Sequence, residues 1–451
     1  MPSVDWRFQS IMENGVYASL DIGTTSIKVI VAEVLNNQMN VIGVGSERSK
    51  GLNKGMIVDI DETSQAITAA VQQAEEKSGL KIEELIVGIP ANGVDIIPFN
   101  GYIQIDHNSQ EITDADVEKA INETCLNHIP SDKEMISVMV EEFLVDGFDE
   151  IKDPRGMVGE RLEIYGTVLA VPKSIVHNIK KCVREAGYVI QDLIIQPQAM
   201  SHLVLSEDER QFGAVQIDMG GGQTTASALH DHQLKYMHVE QQGGEFVTKD
   251  ISMVLNTSTV NAESLKREVG YALSSNLDSD QTIHVDTVGQ KEPIKVKETY
   301  IAEIIEARIE QIFQLLKEDL DKIGALSLPG GVKLTGGAAA IPGVRELAEE
   351  IFDVQVDVYI PDFMGVRYPS FTNAISLAYY EGKLDGIQKL INKICLSGHQ
   401  FNQRETTQST HGNTASSTSA HQDETHVQTS EPSNGPSFME KVKNFFSTFF
   451  D

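Results

Sequence analysis

The sequence has few cysteines, few basic residues and no long apolar run. Its cysteines, Cys125, Cys182 and Cys395, lie far apart without a Cys-x-x-Cys pair, which excludes a thiolate metal site and is typical of a reducing compartment. Lysine and arginine number 36 against 66 acidic residues, and the formal net charge of -30 argues against nucleic acid as a partner. The N-terminus lacks the apolar core of a signal peptide, and no run could span a bilayer. We therefore expect an intracellular protein.

A repeated pattern stands out against these absences. The chain of 451 residues is long enough for two or more domains. Two stretches, residues 20–29 (LDIGTTSIKV) and 216–229 (QIDMGGGQTTASAL), each place an aspartate and a glycine turn before a pair of threonines. Because glycine has no Cβ, the backbone N–H groups of such turns can approach a phosphate closely. The two copies lie far apart in the chain, so they predict duplicated halves that hold one phosphate chain from both sides.

Asp21 and Asp218 end the strands that precede the two turns, so both would face the same phosphates. Two carboxylates in this position require a divalent cation between them, and Mg²⁺ bound through water meets that need. Hydroxyl donors come from Thr24, Thr25, Thr224 and Thr225. The sequence therefore predicts a phosphate site that contains magnesium.

The order of predicted strands and helices repeats as well. Three short β-rich runs within residues 16–44 recur in the same order within residues 214–239. A helix is predicted at residues 61–78, and the gap before it, residues 46–60, is too short for a folded subdomain. The additional strands and helix come later, and we predict that residues 92–166 form an inserted α+β domain.

Three further stretches each allow two interpretations. One face of a predicted helix carries charged residues, Glu263, Lys266 and Arg267. These either hold an adenosine or form a solvated surface. Residues 332–344 (VKLTGGAAAIPGV) predict a glycine turn that either accommodates a flat ring or only joins a strand to a helix. Helices at residues 198–205 and 371–384 carry small side chains, and they either link the two halves or are ordinary core helices.

The composition changes abruptly near the C-terminus. Residues 395–436 are mostly Ser, Thr, Gln, Asn and His, so they predict a disordered tether. Residues 437–451 (SFMEKVKNFFSTFFD) predict an amphipathic helix that lies in a membrane interface or, alternatively, docks on the body or on a partner. The predicted membrane-binding residues are Phe438, Met439, Val442, Phe445, Phe446, Phe449 and Phe450 with Lys441 and Lys443.

Taken in order, these stretches resemble the actin-like ATPase superfamily over roughly residues 15–394. Within it the chain resembles the FtsA family of bacterial cell-division proteins, because its extra domain follows the strand after the first helix. The resemblance implies an α/β, actin-like (ribonuclease-H-like, duplicated) fold with an inserted α+β subdomain in the first half and a disordered C-terminal tether. The implied divisions are residues 1–15 as an N-terminal extension, 16–91 with 167–196 (1A), 92–166 (1C), 197–240 with 327–394 (2A), 241–326 (2B), 395–436 as linker and 437–451 as membrane-targeting helix.

The same resemblance implies ATP with Mg²⁺ as the ligand. The magnesium ion would be held through water by Asp21 and Asp218. No residue is assigned to orient an attacking water, so hydrolysis stays open. The implied nucleotide-binding residues are Asp21, Gly23, Thr24, Thr25, Ser26, Lys28, Asp218, Gly220, Gly221, Gly222, Gln223, Thr224, Thr225, Gly243, Gly244, Glu263, Lys266, Arg267, Gly336, Gly337 and Ala338.

The function implied by the resemblance is that of a cytosolic adaptor. It would self-assemble as an actin-like polymer and tie the C-terminal tail of FtsZ to the cytoplasmic side of the membrane at the division septum. The inserted subdomain would recruit other division proteins, and subdomain 2B would bind FtsZ, with Arg308 and Lys317 as candidate contacts. The alternative is an actin-fold ATPase that acts as a chaperone or a small-molecule kinase, although a chaperone would need a folded substrate domain after the ATPase body.

Overall fold

The computed structural model describes residues 12–125, 128–277 and 281–396. Its first half begins with a β-hairpin unit followed by a helix and a parallel strand. The elements are β1 (Gly15–Ile22), β2 (Ser26–Leu35), β3 (Gln38–Arg48), β4 (Leu52–Asn53), β5 (Met56–Ile57), α1 (Ile60–Ser78) and β6 (Glu84–Ile89). Asp59 caps the start of α1, and Gly79, with a φ of 71°, ends it. The predicted helix at residues 61–78 is confirmed.

An inserted domain follows β6 and returns the chain to the first half. It consists of β7 (Asp95–Gln104), α2 (Asp114–Cys125), β8 (Lys133–Val145), β9 (Phe148–Ile151) and β10 (Arg161–Pro172), with a sheet in the order β7-β10-β8-β9. The predicted boundary at residue 166 falls inside β10. Leu169 and Val171, near its end, pack in the core of the first half, so this one strand belongs to both units.

The second half repeats the first. After α3 (Lys173–Glu185), β11 (Val189–Ile195), α4 (Gln196–Val204) and α5 (Glu207–Phe212) come β12 (Ala214–Met219), β13 (Thr224–His230), β14 (Gln233–Glu240), α6 (Gly244–Val254), α7 (Thr259–Val269), β15 (Thr282–Val285), β16 (Ile294–Lys297), α8 (Glu298–Lys322), β17 (Val332–Thr335), α9 (Val344–Phe352), β18 (Val356–Val358) and α10 (Thr372–Lys383). Residues 386–396 are also helical.

The two main sheets have the same topology, which confirms the predicted duplication. Their orders are β11-β6-β1-β2-β3 and β18-β17-β12-β13-β14, and each begins with parallel strands and ends with two antiparallel hairpins. Both second hairpins turn on two residues with positive φ, Asn36 with Asn37 and Asp231 with His232. Asparagine and aspartate tolerate this left-handed conformation better than most residues, so the turns form where the sequence predicts them.

Helices α4 and α10 lie side by side between the halves, as their small side chains allow. Ala199, Ala374 and Ala378 are completely buried, and the ring of His202 meets that of Tyr380 edge-on at 4.8 Å. Helix α4 starts directly after the carboxyl end of β11, whereas α10 follows β18, the last strand of the second sheet, after an intervening segment. In such sheets ligands bind beyond those strand ends, so the starts of α4 and α10 face the candidate site.

Candidate nucleotide-binding cleft

The first glycine turn joins β1 to β2 and contains Gly23, Thr24 and Thr25. A Cβ on Gly23 would lie 2.8 Å from a backbone oxygen of the same turn, so the tight bend requires glycine. The Thr24 hydroxyl accepts a hydrogen bond from the Gly55 N–H at 2.9 Å, and the Thr25 hydroxyl donates to Glu245 Oε1 at 3.1 Å. The two threonines therefore connect this turn to the loop before α1 and to helix α6 in the other half.

The second glycine turn, Gly220 to Gly222, lies directly against the first. A Cβ on Gly221 would lie only 1.8 Å from Thr25 Oγ1, and one on Gly222 would lie 2.6 Å from Thr24 Oγ1. Side chains at these positions would push the turns apart. Glycine here lets the two halves bring their backbone N–H groups to one place, which is the arrangement that a phosphate chain requires.

Helix α6 begins against the second turn. The N–H groups of Gly244 and Glu245 donate to the carbonyl oxygens of Gly220 and Gly221 at 2.9 and 2.8 Å. A Cβ on Gly243 would lie 2.5 Å from the Gly220 oxygen, so this contact also depends on glycine. The positive end of the α6 dipole thus lies at the turn, where it favours an anion.

The two predicted carboxylates line the same cavity, and each is held by an amide from a linking helix. Asp21 accepts from Gln196 Nε2 at 2.8 Å and pairs with Lys28, whose Nζ lies 3.5 Å from Asp21 Oδ2. Asp218 accepts from Asn373 Nδ2 at 2.8 Å. Gln196 begins α4 and Asn373 lies in the first turn of α10, so equivalent positions in the two halves supply the two amides.

The electrostatics of the pair are consistent with a bound cation. Burial and the charge of Asp21 together raise the pKa of Asp218 to about 6, against the opposing effect of the Asn373 hydrogen bond. The pKa of Asp21 is also raised by burial, against the effect of Lys28. A divalent ion would stabilise the charged form of both carboxylates and so replace the hydration that they lose on burial. Gln223 lines the same cavity, and its Oε1, which lies next to Gly55, is buried without a hydrogen-bond partner in the described structure, which leaves an oxygen for a water or an ion.

A charged helix closes another side of the cavity. Glu263 on α7 pairs with Lys266 and Arg267, each at 2.7 Å, and accepts from the Thr248 hydroxyl at 2.6 Å. Lys266 also donates to the Gly244 oxygen at 3.0 Å. These contacts lower the pKa of Glu263 against the effect of its burial, so the carboxylate is charged and fixed in position. It can accept hydrogen bonds from the hydroxyl groups of a sugar.

The glycine turn after β17 completes the cavity wall. Gly336 has a φ of 94°, and a Cβ there would lie 2.3 Å from Asp218 Oδ1. Gly337 is different, because a Cβ at that position would lie an unstrained 3.6 Å from the Ser370 side chain. The first glycine is thus required by the carboxylate behind it, whereas the second leaves open space beside the cavity.

The structure brings most of the predicted nucleotide-binding residues to this one cavity, which has a volume of about 450 Å³. That volume lies within the usual range of roughly 300–1,000 Å³ for small-molecule sites. Three predicted residues lie behind the lining. Thr224 donates to the Gln242 oxygen at 2.8 Å, Thr225 pairs with Asp218 in the β12–β13 ladder, and Gly243 supports the second turn. Whether each residue contacts a nucleotide stays a prediction.

Sequence reasoning missed several lining residues. Gln196 and Asn373 were not singled out, and neither were Gly55 and Glu245, although all four contact the predicted motifs. One signal was present: each linking helix has an amide residue at its start, and the sequence pattern predicted both helices. The other lining residues come from segments whose approach to the cleft depends on the fold. They include Pro90, Ile341, Pro342, Tyr368 and Phe371.

The structure places the two candidate FtsZ contacts in internal interactions. Arg308 holds both carboxylate oxygens of Asp250, at 2.5 and 3.1 Å, and Lys317 donates to the Ile351 oxygen at 2.6 Å in the last turn of α9. The apolar stripe of α8, including Ile309 and Leu316, is fully buried and packs the subdomain. Both side chains already have partners within the chain, and their predicted role in binding a partner protein stays a prediction.

The predicted tether and membrane-binding helix cannot be placed in this fold. Residues 397–451 lie outside the described residues, and so does most of the N-terminal extension, residues 1–11. Within residues 12–125, 128–277 and 281–396, no helix is long and apolar enough to cross a bilayer.

Comparison with solved structures identifies the fold. A chain of the PilM-PilN type IV pilus biogenesis complex superposes with a TM-score of 0.56 at 18% identity, covering 83% of this chain and 100% of that chain. MreB5 of Spiroplasma citri bound to ADP gives a TM-score of 0.51 at 13% identity, covering 83% of this chain and 97% of that chain. The protein therefore has the actin-like fold, as its duplicated sheets indicate.

Sequence comparison identifies the family within that fold class. The model for "Cell division protein FtsA" matches residues 215–376, and the model for "SHS2 domain inserted in FTSA" matches residues 92–170. Cell division protein FtsA of Enterococcus hirae is 48% identical over 97% of this chain and 100% of its own length. That of Bacillus subtilis (strain 168) is 40% identical over 81% of this chain and 83% of its own length. The chain belongs to the FtsA family of cell-division proteins, as the position of the inserted domain predicted.

Proposed function

We propose that this protein binds ATP with Mg²⁺ in the cleft, self-assembles through its actin-like body and anchors FtsZ to the cytoplasmic face of the membrane at the division septum. The nucleotide assignment rests on one observation: the two glycine turns lie directly against each other in the cavity that Asp21 and Asp218 line. Family membership supports the cell-division role, and a solved MreB5 with the same fold is bound to ADP.

Each wall of the cleft has one task in this proposal. The N–H groups of the two glycine turns bind phosphate oxygens, the positive end of the α6 dipole favours their negative charge, and Lys28 adds a positive charge beside Asp21. Magnesium supplies charge neutralisation between phosphates and carboxylates when it is bound. Glu263 accepts hydrogen bonds from ribose hydroxyls, and the open space beside Gly337 leaves room for the base. The proposal concerns binding and assigns no residue to hydrolysis.

The partner assignments follow from the division of the chain. Subdomain 2B, built around the long helix α8, would bind the FtsZ tail, and the inserted domain would recruit other division proteins. The predicted helix at residues 437–451 would insert its phenylalanine face into the bilayer interface. A single such helix binds weakly, because ordering it and bringing an acidic body near anionic lipid both oppose the hydrophobic gain. Assembly would array many helices, so attachment would depend on polymerisation.

The alternative class is a chaperone-like or kinase-like actin-fold ATPase. A small-molecule kinase would turn over a second substrate, so a screen for phosphoryl transfer separates it from the adaptor. The 48% identity to a cell division protein over nearly the whole chain favours the adaptor.

Membrane attachment is tested by flotation of the full chain with anionic liposomes, with and without Mg-ATP and FtsZ. Phe445→Glu combined with Phe449→Glu should abolish flotation, because two charges then lie on the apolar face of the predicted helix. Nucleotide and FtsZ binding should be unchanged.

The matched control places the same two charges on the polar face, as Ser447→Glu with Thr448→Glu. This variant should float nearly as well as the wild type. Equal flotation of the apolar-face variant and the wild type would show that the segment is not the anchor.

A further inference from the structure

A second cavity, of about 440 Å³, shares no lining residue with the nucleotide cleft. Its lining comes from the N-terminal segment, β11, α10 and the helix at residues 386–396. Two acidic side chains meet in its wall, Asp192 from β11 and Glu381 from α10, and they are 8% and 6% exposed. The first lies in the first half of the molecule and the second in the second half, so this acid pair spans the joint between them.

The hydrogen bonds around the acid pair favour one carboxylate and one carboxylic acid. Asp192 accepts from the Leu193 N–H at 2.7 Å and from Asn392 Nδ2 at 2.8 Å, as an ionised group would. Glu381 Oε1 accepts only a long bond from Gln191, at 3.5 Å, and its Oε2 is buried without a donor in the described structure. When Glu381 is protonated on Oε2, this oxygen becomes a donor and can form a hydrogen bond to the Asp192 carboxylate. Burial first, and then the charge of Asp192, raise the pKa of Glu381 to about 8.

Among the residues that the structure describes, no cationic side chain forms an ion pair with Asp192 or Glu381. Lys389, in the 386–396 helix, is paired with Glu13 of the N-terminal segment. The half-buried imidazole of His202, on α4, has its pKa lowered to about 3 by its removal from water and by the charge of Arg210, so it is neutral. The remaining titratable or charged groups nearby are Tyr17 on β1, Tyr380 and Lys383 on α10, Asp385 after it, and Lys393 and Cys395 in the 386–396 helix. Burial first, and then the charge of the acid pair, raise the pKa values of Tyr17, Tyr380 and Cys395, so these three stay protonated.

We propose that Asp192 and Glu381 form a proton-dependent latch that fastens α10 and the helix at residues 386–396 to β11. While the acid pair shares one proton, its hydrogen bond and the Asn392 amide hold the three elements together. Loss of that proton leaves two buried negative charges that repel each other, and the latch opens.

The latch is joined to both the cleft and the C-terminal segment. Helix α10, which carries Glu381, also carries Asn373, the residue that holds Asp218. Strand β11, which carries Asp192, runs directly into Gln196, the residue that holds Asp21. The 386–396 helix leads into residues 397–451, which contain the predicted tether. Opening of the latch therefore moves the supports of both cleft carboxylates and the origin of the tether. This last step rests on the proposed function, whereas the latch itself does not.

The test is hydrogen exchange on the full chain without nucleotide, at about pH 6.5 and about pH 9, corrected for the intrinsic exchange rate. With Glu381 at its ordinary pKa of 4.5 when the latch is open and about 8 when it is closed, the opening constant should rise about 30-fold over this range. We expect that loss of protection in residues 386–396 and in the C-terminal half of α10.

Glu381→Gln should remove this pH dependence, because its amide donates permanently to Asp192. Asp192→Asn should reduce it through the other partner, and both are conservative enough to be checked for folding by thermal unfolding. Glu303→Gln, an exposed position on α8, is the control and should keep the wild-type profile. Equal protection at both pH values in the wild type, or the same loss in Glu381→Gln, would overturn the latch.

A second measurement separates the latch from the nucleotide proposal. Mg-ATP affinity should fall between the two pH values more steeply in the wild type than in Glu381→Gln. If hydrogen exchange shows the expected pH dependence but neither the wild type nor Glu381→Gln binds ATP, the proposed function fails while the latch stands. If both proteins lose affinity equally, the latch is not coupled to the cleft.

Discussion

The two halves of the cleft contain the same turn but neutralise their aspartates differently. Asp21 lies opposite Lys28 in the β1–β2 ladder, whereas Asp218 lies opposite Thr225 in the equivalent β12–β13 ladder. The first carboxylate therefore has a built-in cation at 3.5 Å. The second has only the amide of Asn373, and its pKa is raised to about 6. Duplication fixed the geometry of both halves, while the charge balance of the second half depends on what the cleft binds.

The largest effect should come from breaking the contact between the halves. Gly221→Val places a side chain where even a Cβ would lie 1.8 Å from Thr25 Oγ1, so the two turns must separate. We expect Mg-ATP affinity to fall about 100-fold or more, since overpacking at such a contact costs roughly 3 kcal/mol. Isothermal titration calorimetry measures this.

Gly337→Ala is the matched control, because the added Cβ would meet only an ordinary contact at 3.6 Å. It should bind Mg-ATP within about threefold of the wild type, the range of most mild substitutions. Wild-type affinity in Gly221→Val would contradict the assignment of the cleft.

The second prediction uses the difference between the two aspartates. Asp218 has a raised folded-state pKa, so its protonated form stabilises the fold at low pH. That contribution is lost as the pH rises from 3.8, the ordinary pKa of aspartate, through about 6. Asp218→Asn should therefore stabilise the ligand-free protein at neutral pH by about 2 kcal/mol, after discounting for the part of the side chain open to the cavity. Thermal unfolding as a function of pH tests this.

The same substitution should weaken the Mg²⁺-dependent part of ATP binding by about 30-fold, because a charged ligand-holding group is lost. Asp21→Asn is the comparison. It should not stabilise the ligand-free protein to the same extent, since it leaves Lys28 without its partner in the cleft. Equal stability changes in the two variants would show that the halves are electrostatically alike.

The sequence predicted the parts of the cleft that lie in contiguous motifs. Asp21, Asp218 and the glycine turns are recognisable because strand, carboxylate and glycine must be neighbours in the chain to cradle a phosphate. Gln196 and Asn373 were missed, because an amide at a helix start has many uses and only the packing of α4 against α10 directs it at a carboxylate.

The same limit explains the residues on α8 and the acid pair. Arg308 and Lys317 fit a partner surface by their spacing along the helix, but Asp250 and the Ile351 oxygen, which engage them, come from other helices. Asp192 and Glu381 are far apart in the chain, and neither lies in a motif. Periodicity locates elements, whereas side-chain pairing between elements depends on the tertiary structure.

The smallest predicted effect concerns the two amides. Gln196→Met removes the donor to Asp21, which keeps Lys28, whereas Asn373→Leu removes the donor to Asp218, which has no cation. A hydrogen bond to a charged group contributes roughly 1.5–3 kcal/mol, and part of that is recovered where another partner remains. We expect Asn373→Leu to weaken Mg-ATP binding about tenfold and Gln196→Met only about threefold, by the same conversion. The pH at which affinity is half-lost should shift upwards in both variants, because each amide lowers the pKa of its carboxyl group, and the shift should be larger in Asn373→Leu, because Lys28 still lowers the pKa of Asp21. Titration calorimetry across pH measures both quantities. Equal losses and equal pH profiles would mean that Lys28 does not compensate Asp21, and the asymmetry between the halves would then have no energetic consequence.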